Sequence, residues 1–262
     1  MVLVIDLTLT NKTINGEYIM DLRNVLRDLV NTTSGIDFSC IAISSEDRGE
    51  GQRVYMEAYT DDRTLVMRAY TKEDVPEVQG RFGLGNLGLL QGLMSLKTYS
   101  TEGTTITSNL KDGVVKSLAF KSEEASTTFM VQAEKLIPPQ PRFTEQPYDV
   151  QVTPSAAKVQ ELKSFSGVFK SFSSLVTPYT EGDTLYFHVG EKNKSNHVGA
   201  LAFSKTEGEL GLGFGYNIDR VLQALARVSN AESVTLGLTK TGMMNVTLDT
   251  GIAVYKIYVT GC

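Results

Sequence analysis

The sequence predicts an α+β protein with antiparallel sheets, built from two similar domains. Three observations support this: one helical segment occurs twice, half a chain apart; a proline-rich stretch separates the halves; and a helix followed by three hairpin-linked strands occurs twice in each half. Repetition of one unit is typical of proteins that work through the overall shape the units make.

The duplicated segment is the most direct of these observations. Residues 86–93 read N-L-G-L-L-Q-G-L, and residues 217–225 read N-I-D-R-V-L-Q-A-L. The two copies differ by a one-residue insertion, and each follows a glycine-rich stretch. We expect them to be the second helix of each domain.

The boundary between the halves is marked by proline. Because proline fixes φ and removes an amide donor, we expect an extended, semi-rigid connector that packs along a surface. We therefore predict an N-terminal domain over 1–135, a connector over 136–150 and a C-terminal domain over 151–262. Four of the chain's seven prolines lie in this connector: Pro138, Pro139, Pro141 and Pro147.

The elements of the first half follow from hydrophobic periodicity. Apolar residues at helical spacing predict a first helix over 18–31, and the segment beginning at Asn86 is the second. Alternating patterns and turn residues predict three strands after each helix. These strands are expected at about 36–45, 52–59 and 64–71, and then at about 104–109, 114–121 and 126–133.

The second half shows the same order. A helix is predicted from about Ser155, and the fourth helix from Asn217, a good N-cap residue, with its apolar stripe running to Val228. The strands are expected at about 183–190, 197–204 and 209–214, and then at 233–239, 243–248 and 252–259.

Composition limits the class of protein. The 262 residues are 41% hydrophobic and 21% charged, which argues against wholesale disorder, and the net charge of -5 argues against a strongly basic body. Cys40 and Cys262 form no metal or disulfide motif, so we expect a reducing compartment. The N-terminus lacks a basic n-region, and no apolar run is long enough for a membrane span, so we predict an intracellular protein.

Basic side chains collect on the predicted helices of this acidic chain. Arg220 and Arg227 are seven residues apart and share one face of the fourth helix, opposite its apolar stripe. Such faces are often merely solvated, but basic helices with acidic loops suit a protein that holds DNA phosphates against one surface. The predicted DNA-facing residues are Arg23, Arg27, Lys158, Lys163, Lys170, Arg220 and Arg227.

Together these features resemble the DNA sliding clamps, the polymerase processivity factors, and among them those of T-even-type bacteriophages. Residues 82–96 look like the second helix of those clamps, and residues 125–141, ending in Pro-Pro-x-Pro, are similar to their domain crossover. The run Ala157-Lys158-Val159-Gln160-Glu161-Leu162, continuing to Gly167-Val168, resembles the start of their second half.

The resemblance implies that the protein functions by encircling DNA. Three two-domain subunits would close into a homotrimeric ring with helices lining the hole, and this ring would slide on double-stranded DNA without reading its sequence. The implied partners are a replicative DNA polymerase and a clamp-loader ATPase in the host-cell cytoplasm; no cofactor or membrane is implied.

The resemblance also implies an apolar pocket for partner peptides near the connector and the C-terminal strand. The residues expected there are Ile137, Pro138, Tyr255, Ile257 and Val259. Tyr255, Ile257 and Val259 alternate at period two, so they also fit the core face of a strand.

Other motifs are weak. Residues 83–88 match G-x-G-x-x-G, but the preceding residues are polar and hairpins follow, so we expect these glycines to let the chain turn sharply into its helix. His188 and His197 could approach one another on neighbouring strands, yet we predict no metal site and no enzyme. Two alternatives remain open: a β-rich structural or assembly protein of a virion, and a monomeric processivity factor that does not encircle DNA.

Overall fold

The computed structural model describes residues 12–14, 17–47, 52–101, 103–142, 144–190 and 197–261. Its α-helices are α1 (Leu22–Thr33), α2 (Leu87–Ser95), α3 (Lys97–Ser100), α4 (Ala156–Phe169) and α5 (Ile218–Leu225). The strands of the first half are β1 (Lys12–Ile14), β2 (Glu17–Ile19), β3 (Phe38–Asp47), β4 (Gln52–Thr60), β5 (Leu65–Thr71), β6 (Arg81–Leu84), β7 (Thr105–Lys111), β8 (Val114–Lys121), β9 (Ser126–Met130) and β10 (Gln132–Ala133). Those of the second half are β11 (Val150–Val152), β12 (Leu175–Glu181), β13 (Thr184–Val189), β14 (Gly199–Lys205), β15 (Tyr216–Asn217), β16 (Ser233–Leu238), β17 (Met243–Asp249) and β18 (Ala253–Thr260).

Side-chain caps and apolar stripes explain the two helices nearest the middle of the molecule. The Asp21 side chain accepts a hydrogen bond from the Arg23 amide and begins α1, and Asn217 accepts from the amides of Asp219 and Arg220 and begins α5. Each helix then buries one stripe against the sheet. The buried apolar residues are Leu22, Val25, Leu26 and Leu29 in α1, and Ile218, Val221, Ala224 and Leu225 in α5.

Nine strands from both halves form one sheet, in the order β10-β6-β3-β4-β5-β18-β17-β16-β11. The halves join where β5 pairs with β18, in a register that runs from Leu65 opposite Val259 to Thr71 opposite Ala253. We call this junction, with the helices and turns that pack beside it, the seam. Every pairing among the described strands is antiparallel, which confirms the predicted fold class.

Three smaller sheets complete the described chain: β1-β2 and β7-β8-β9 in the first half, and β14-β13-β12-β15 in the second. A helix followed by a three-stranded antiparallel run therefore occurs four times in the described chain, starting at α1, α2, α4 and α5. This order confirms the predicted repeat.

The predicted elements need four corrections. The first helix begins at Leu22, because residues 17–19 pair with β1. Residues 209–214 form no strand; the run contains two glycines, Gly211 and Gly213, and lies in the loop that joins β14 to β15. The missing strand is β12, which the sequence analysis overlooked. The last helix ends at Leu225 and not at Val228.

The connector packs along the nine-stranded sheet, as predicted. The Tyr148 ring lies over Gly237 of β16, where a Cβ atom would come within 2.6 Å of the ring. The Glu145 carboxylate accepts hydrogen bonds from Lys256 Nζ (2.8 Å) and Tyr258 Oη (2.5 Å), both on β18. These contacts fix the connector across strands of the second half.

Candidate functional site

Arg220 lies in the seam. Its guanidinium forms ion pairs with the carboxylates of Asp37 and Asp62, and the distance from Nη2 to Asp62 Oδ2 is 2.8 Å. The Arg220 Nε also donates a hydrogen bond to Thr64 Oγ1 at 3.1 Å. Its side chain is 14% exposed. Arg220 therefore joins α5 to the turns that follow α1 and β4, so these partners, and not DNA, occupy its donors. The sequence predicts a DNA-facing side chain; the structure shows Arg220 engaged with carboxylates of its own chain.

The electrostatics of this cluster fit a structural ion pair. Hydrogen bonding from Arg220 lowers the pKa of Asp37 below its usual range. Burial would raise the pKa of Asp62, but hydrogen bonds from Thr60, Arg220 and Thr64 outweigh that effect and lower it strongly. All three groups are therefore charged at neutral pH, and their attraction holds the halves together.

Two further contacts attach α5 and the residues that follow it to the first half. Gln223 Nε2 donates to the Gly35 carbonyl at 3.0 Å, and Arg227 Nη2 lies 3.4 Å from the Ser34 carbonyl. Gly35 adopts a φ of 86°, a left-handed conformation that favours glycine. The turn after α1 is thus shaped to receive the polar face of α5.

Arg23 also has structural partners. Its two terminal nitrogens donate to the carbonyls of Tyr99 (3.1 Å), Thr101 (2.9 Å) and Thr104 (3.3 Å). Desolvation by burial lowers the pKa of this guanidinium. Arg23 consequently caps the end of α3 through its two terminal nitrogens, whereas its buried Nε has no hydrogen-bond partner among the described residues.

The remaining predicted basic residues are more open. Lys158 pairs with Glu161 at 2.7 Å, and Lys170 pairs with Asp219 at 3.0 Å, both as exposed ion pairs. Lys163 is exposed on α4, and its carbonyl accepts a hydrogen bond from Ser166 Oγ at 3.2 Å. Arg27 lies on α1, half-buried, beside a cleft that it shares with Arg227. Their contact with DNA stays a prediction.

The expected peptide pocket is wrong for three of its residues. Tyr255, Ile257 and Val259 are at most 1% exposed and point into the core from β18. These three residues form the core face of a strand, which is the alternative that their alternation allowed. Ile137 and Pro138 are half-buried in the connector and remain candidates.

Sequence reasoning missed an apolar pocket beside the loop that joins β14 to β15. Its cavity measures about 300 Å³, and its lining includes Leu212 and Phe214, which are 45% and 40% exposed. Thr239 and Lys240 of the β16–β17 turn form its polar side. The signal was present in two large apolar residues between glycines. The segment was predicted to be a strand, and Leu212 and Phe214, two residues apart, would then share one face and fit a core.

The glycine motif has a packing role. Gly83 lies so near Cys40 that a Cβ atom would come within 2.8 Å of its Sγ, and Gly85 lies against the Gln132 side chain. The left-handed residue that turns the chain into α2 is Asn86, with a φ of 48°. The predicted role of the glycines as the turning residues is therefore wrong.

The His197 ring contacts Phe172 at 4.6 Å between centroids. In the described parts of the chain, no three His, Cys, Asp or Glu side chains are grouped as metal ligands would be. Of the helices that the structure describes, none has the length and apolar content needed to cross a membrane.

Comparison with known proteins relates this fold to one class. The structure superposes with a TM-score of 0.63 on a chain described as "C-terminal region of FEN-1 bound to A. fulgidus PCNA", at 11% identity over 92% of this chain and 94% of that one. It superposes with a TM-score of 0.62 on the Proliferating Cellular Nuclear Antigen of Entamoeba histolytica, at 12% identity over 92% and 96% of the two chains.

No protein-family model matches the sequence, and no curated protein matches it significantly. The structural likeness nevertheless covers nearly the whole of each chain. The protein therefore has the fold of the DNA sliding clamps, with two similar domains.

Proposed function

We propose that the protein is a sliding clamp: a homotrimeric ring that encircles duplex DNA and tethers a replicative DNA polymerase to make synthesis processive. The observation that carries this proposal is the clamp fold over 92% of the chain. The segments 82–96, 125–141 and 157–168, which resemble T-even-type bacteriophage clamps, support that subfamily.

Free sheet edges support ring closure. In the described chain, β9 ends the three-stranded sheet of the first half, and β14 ends the four-stranded sheet of the second. Pairing β9 of one subunit with β14 of the next would be a head-to-tail contact, which closes a ring when the rotation per subunit allows it. Closure would also cover edges that otherwise invite aggregation.

The helices supply the proposed DNA-facing surface. The helices of the described chain carry six basic residues, Arg23, Arg27, Lys97, Lys158, Lys163 and Arg220, against three acidic ones, Asp28, Glu161 and Asp219. Arg23 and Arg220 are engaged within the protein, so we place phosphate contact mainly on Arg27, Lys158, Lys163, Lys170 and Arg227. A small number of phosphate contacts suits a ring that must slide, because such contacts are independent of the DNA sequence.

Partner peptides have two candidate surfaces. The pocket of Leu212 and Phe214 exposes apolar area beside Lys240, and Ile137 and Pro138 lie in the connector. The A. fulgidus PCNA structure holds the C-terminal region of FEN-1, which shows that a protein of this fold binds a peptide segment. By analogy we propose that polymerase and clamp-loader ATPase dock through short segments here.

The proposed protein acts without catalytic chemistry of its own. Clamps that share this fold are non-enzymatic scaffolds, and we propose that this protein likewise acts by encircling DNA. We accordingly propose that it functions in the host-cell cytoplasm, where phage DNA is replicated, and that it needs no cofactor.

Light scattering at micromolar concentration tests the assembly. The expected result is a mass of three 28.7 kDa chains. A monomer that still raises polymerase processivity would contradict the ring and favour a factor that does not encircle DNA. Larger assemblies with no DNA retention would favour the structural virion protein.

A further inference from the structure

Two surfaces of the chain expose large apolar side chains, and each belongs to a unit that ends in a free sheet edge. Leu89 on α2 and Leu96 just after it are 49% and 50% exposed. Val168 in the last turn of α4 and Phe172 just after that helix are 72% and 56% exposed. In the described chain, α2 precedes the sheet that ends in β9, and α4 precedes the sheet that ends in β14. Grouped apolar side chains of this kind indicate an interaction surface.

The internal repeat shows how such a helix face is covered elsewhere in the chain. The helix α5 holds in the second half the place that α2 holds in the first: each begins after an asparagine and precedes three hairpin-linked strands. The two helices can be aligned without a gap from Asn86 and Asn217. Their buried residues then coincide: Leu90 with Val221, and Leu93 with Ala224.

In this alignment the counterparts of the two exposed leucines are Arg220 and Arg227, which the first half covers. Arg220 meets Asp37 in the turn after α1, and Arg227 reaches the Ser34 carbonyl of the same turn at 3.4 Å. This turn lies in the seam, where β18 pairs with β5. Within one chain, therefore, the helix that precedes one edge strand docks on the turn that follows the first helix of the other unit.

The same arrangement between subunits brings the two apolar surfaces together. If β9 pairs with β14 of the next subunit as β18 pairs with β5, then α2 takes the position of α5 in the seam. The turn after α4 of that subunit takes the position of the turn after α1. Leu89 then faces Phe172 of the partner subunit.

The residues on both sides suit an apolar contact and not an ionic one. The helix α2 carries no charged residue. The turn after α4, residues 170–174, contains one charged residue, Lys170, which pairs with Asp219 of its own chain at 3.0 Å. No counterpart of the Arg220–Asp37 ion pair can therefore form here. Burial of apolar area stabilises such a contact, and salt screens it far less than it screens charges.

We infer that the subunits of the ring are joined by an apolar contact, in which Leu89 and Leu96 of one chain pack on Val168 and Phe172 of the next. The inference rests on the proposed ring and identifies surfaces that close it. The two junctions then have similar geometry and different chemistry, ionic within the chain and apolar between chains. This difference keeps α2 and α5 from exchanging partners, because Asp37 opposite a leucine would lose its cation.

Sedimentation velocity of the full chain over a range of concentrations tests this contact. Leu89→Arg places an unpaired charge in it, so the concentration at which half of the rings dissociate should rise about tenfold or more. Leu110→Arg on β7 is the matched control, because Leu110 is 47% exposed and lies outside both surfaces. This control should remain trimeric, and circular dichroism verifies that each variant folds.

A second substitution tests the pairing of the two surfaces. Phe172→Asp, added to Leu89→Arg, recreates the chemistry of the seam and should restore trimers in low salt but not in high salt. Wild-type trimers should persist in both.

The outcomes separate this contact from the ring itself. A Leu89→Arg variant that dissociates as wild type does, or a loss that Phe172→Asp does not reverse, would overturn the contact and leave the ring in place. A wild-type chain that stays monomeric at these concentrations and is not retained on circular DNA would refute the ring, and the contact with it.

Discussion

The negative charge of Asp28 destabilises the folded protein. Burial raises its pKa from 3.8 to about 6, although hydrogen bonds from Tyr255 and Thr250 oppose the rise. The folded state therefore binds this proton more tightly than the unfolded chain does. The resulting destabilisation is absent below about pH 4, grows as pH rises through 6, and is complete above it, at roughly 3 kcal/mol for a shift of this size.

Replacing this carboxylate by an amide should remove that pH dependence. The free energy of unfolding of Asp28→Asn, relative to wild type, is expected to rise between about pH 4 and 6 and then level off. Urea denaturation from pH 5 to pH 8 measures the upper part of this range. Asp61→Asn, an exposed change in the β4–β5 turn, is the control. A constant difference between Asp28→Asn and wild type across that range would contradict the assigned burial.

At the residue scale the sequence located basic side chains correctly but not their partners. Arg220 and Arg227 were expected together on one face of the fourth helix; Arg220 does lie on the polar side of α5, whereas Arg227 lies just beyond the end of the helix at Leu225. Arg220 nevertheless meets Asp37 and Asp62, which are more than 150 residues away in the chain. Periodicity reports the face of a helix and contains no information about which distant turn covers that face.

At the element scale, α5 attaches to the first half mainly through Arg220. Arg220→Gln should lower the free energy of unfolding by about 1.5–3 kcal/mol, because the change leaves two carboxylates without their cation. Lys170→Gln breaks an exposed pair with Asp219 and should cost about 0–1 kcal/mol. Urea unfolding measures both, and similar effects would contradict the structural role assigned to Arg220.

Most elements could be predicted because their patterns are local. The strands β16, β17 and β18 alternate and are separated by turns at Gly242 and Gly251, which have φ values of 86° and 83°. The strand β12 could not be found this way, because Pro178 lies inside it and proline argues against a strand. Its position is fixed by pairing with β13 and β15, which is a tertiary property.

At the scale of the molecule, one sheet joins the two halves through β5 and β18. The sequence predicted the duplication but not this junction, since edge strands of similar domains look alike. The predicted peptide pocket failed for a similar reason. The alternation of Tyr255, Ile257 and Val259 predicts that they share one face of a strand, but it does not predict whether other elements of the fold cover that face. A rigid junction within each chain is what a ring of repeated domains requires.

Trapping on circular DNA tests the central claim most directly. Protein loaded on nicked circular duplex should stay bound through gel filtration in moderate salt, and cutting the circle once should release it. Lys163→Glu on α4 should shorten retention on the circle, whereas Lys111→Glu on β7 should not. Equal retention on circular and linear DNA, or none on either, would contradict a ring that encircles the duplex.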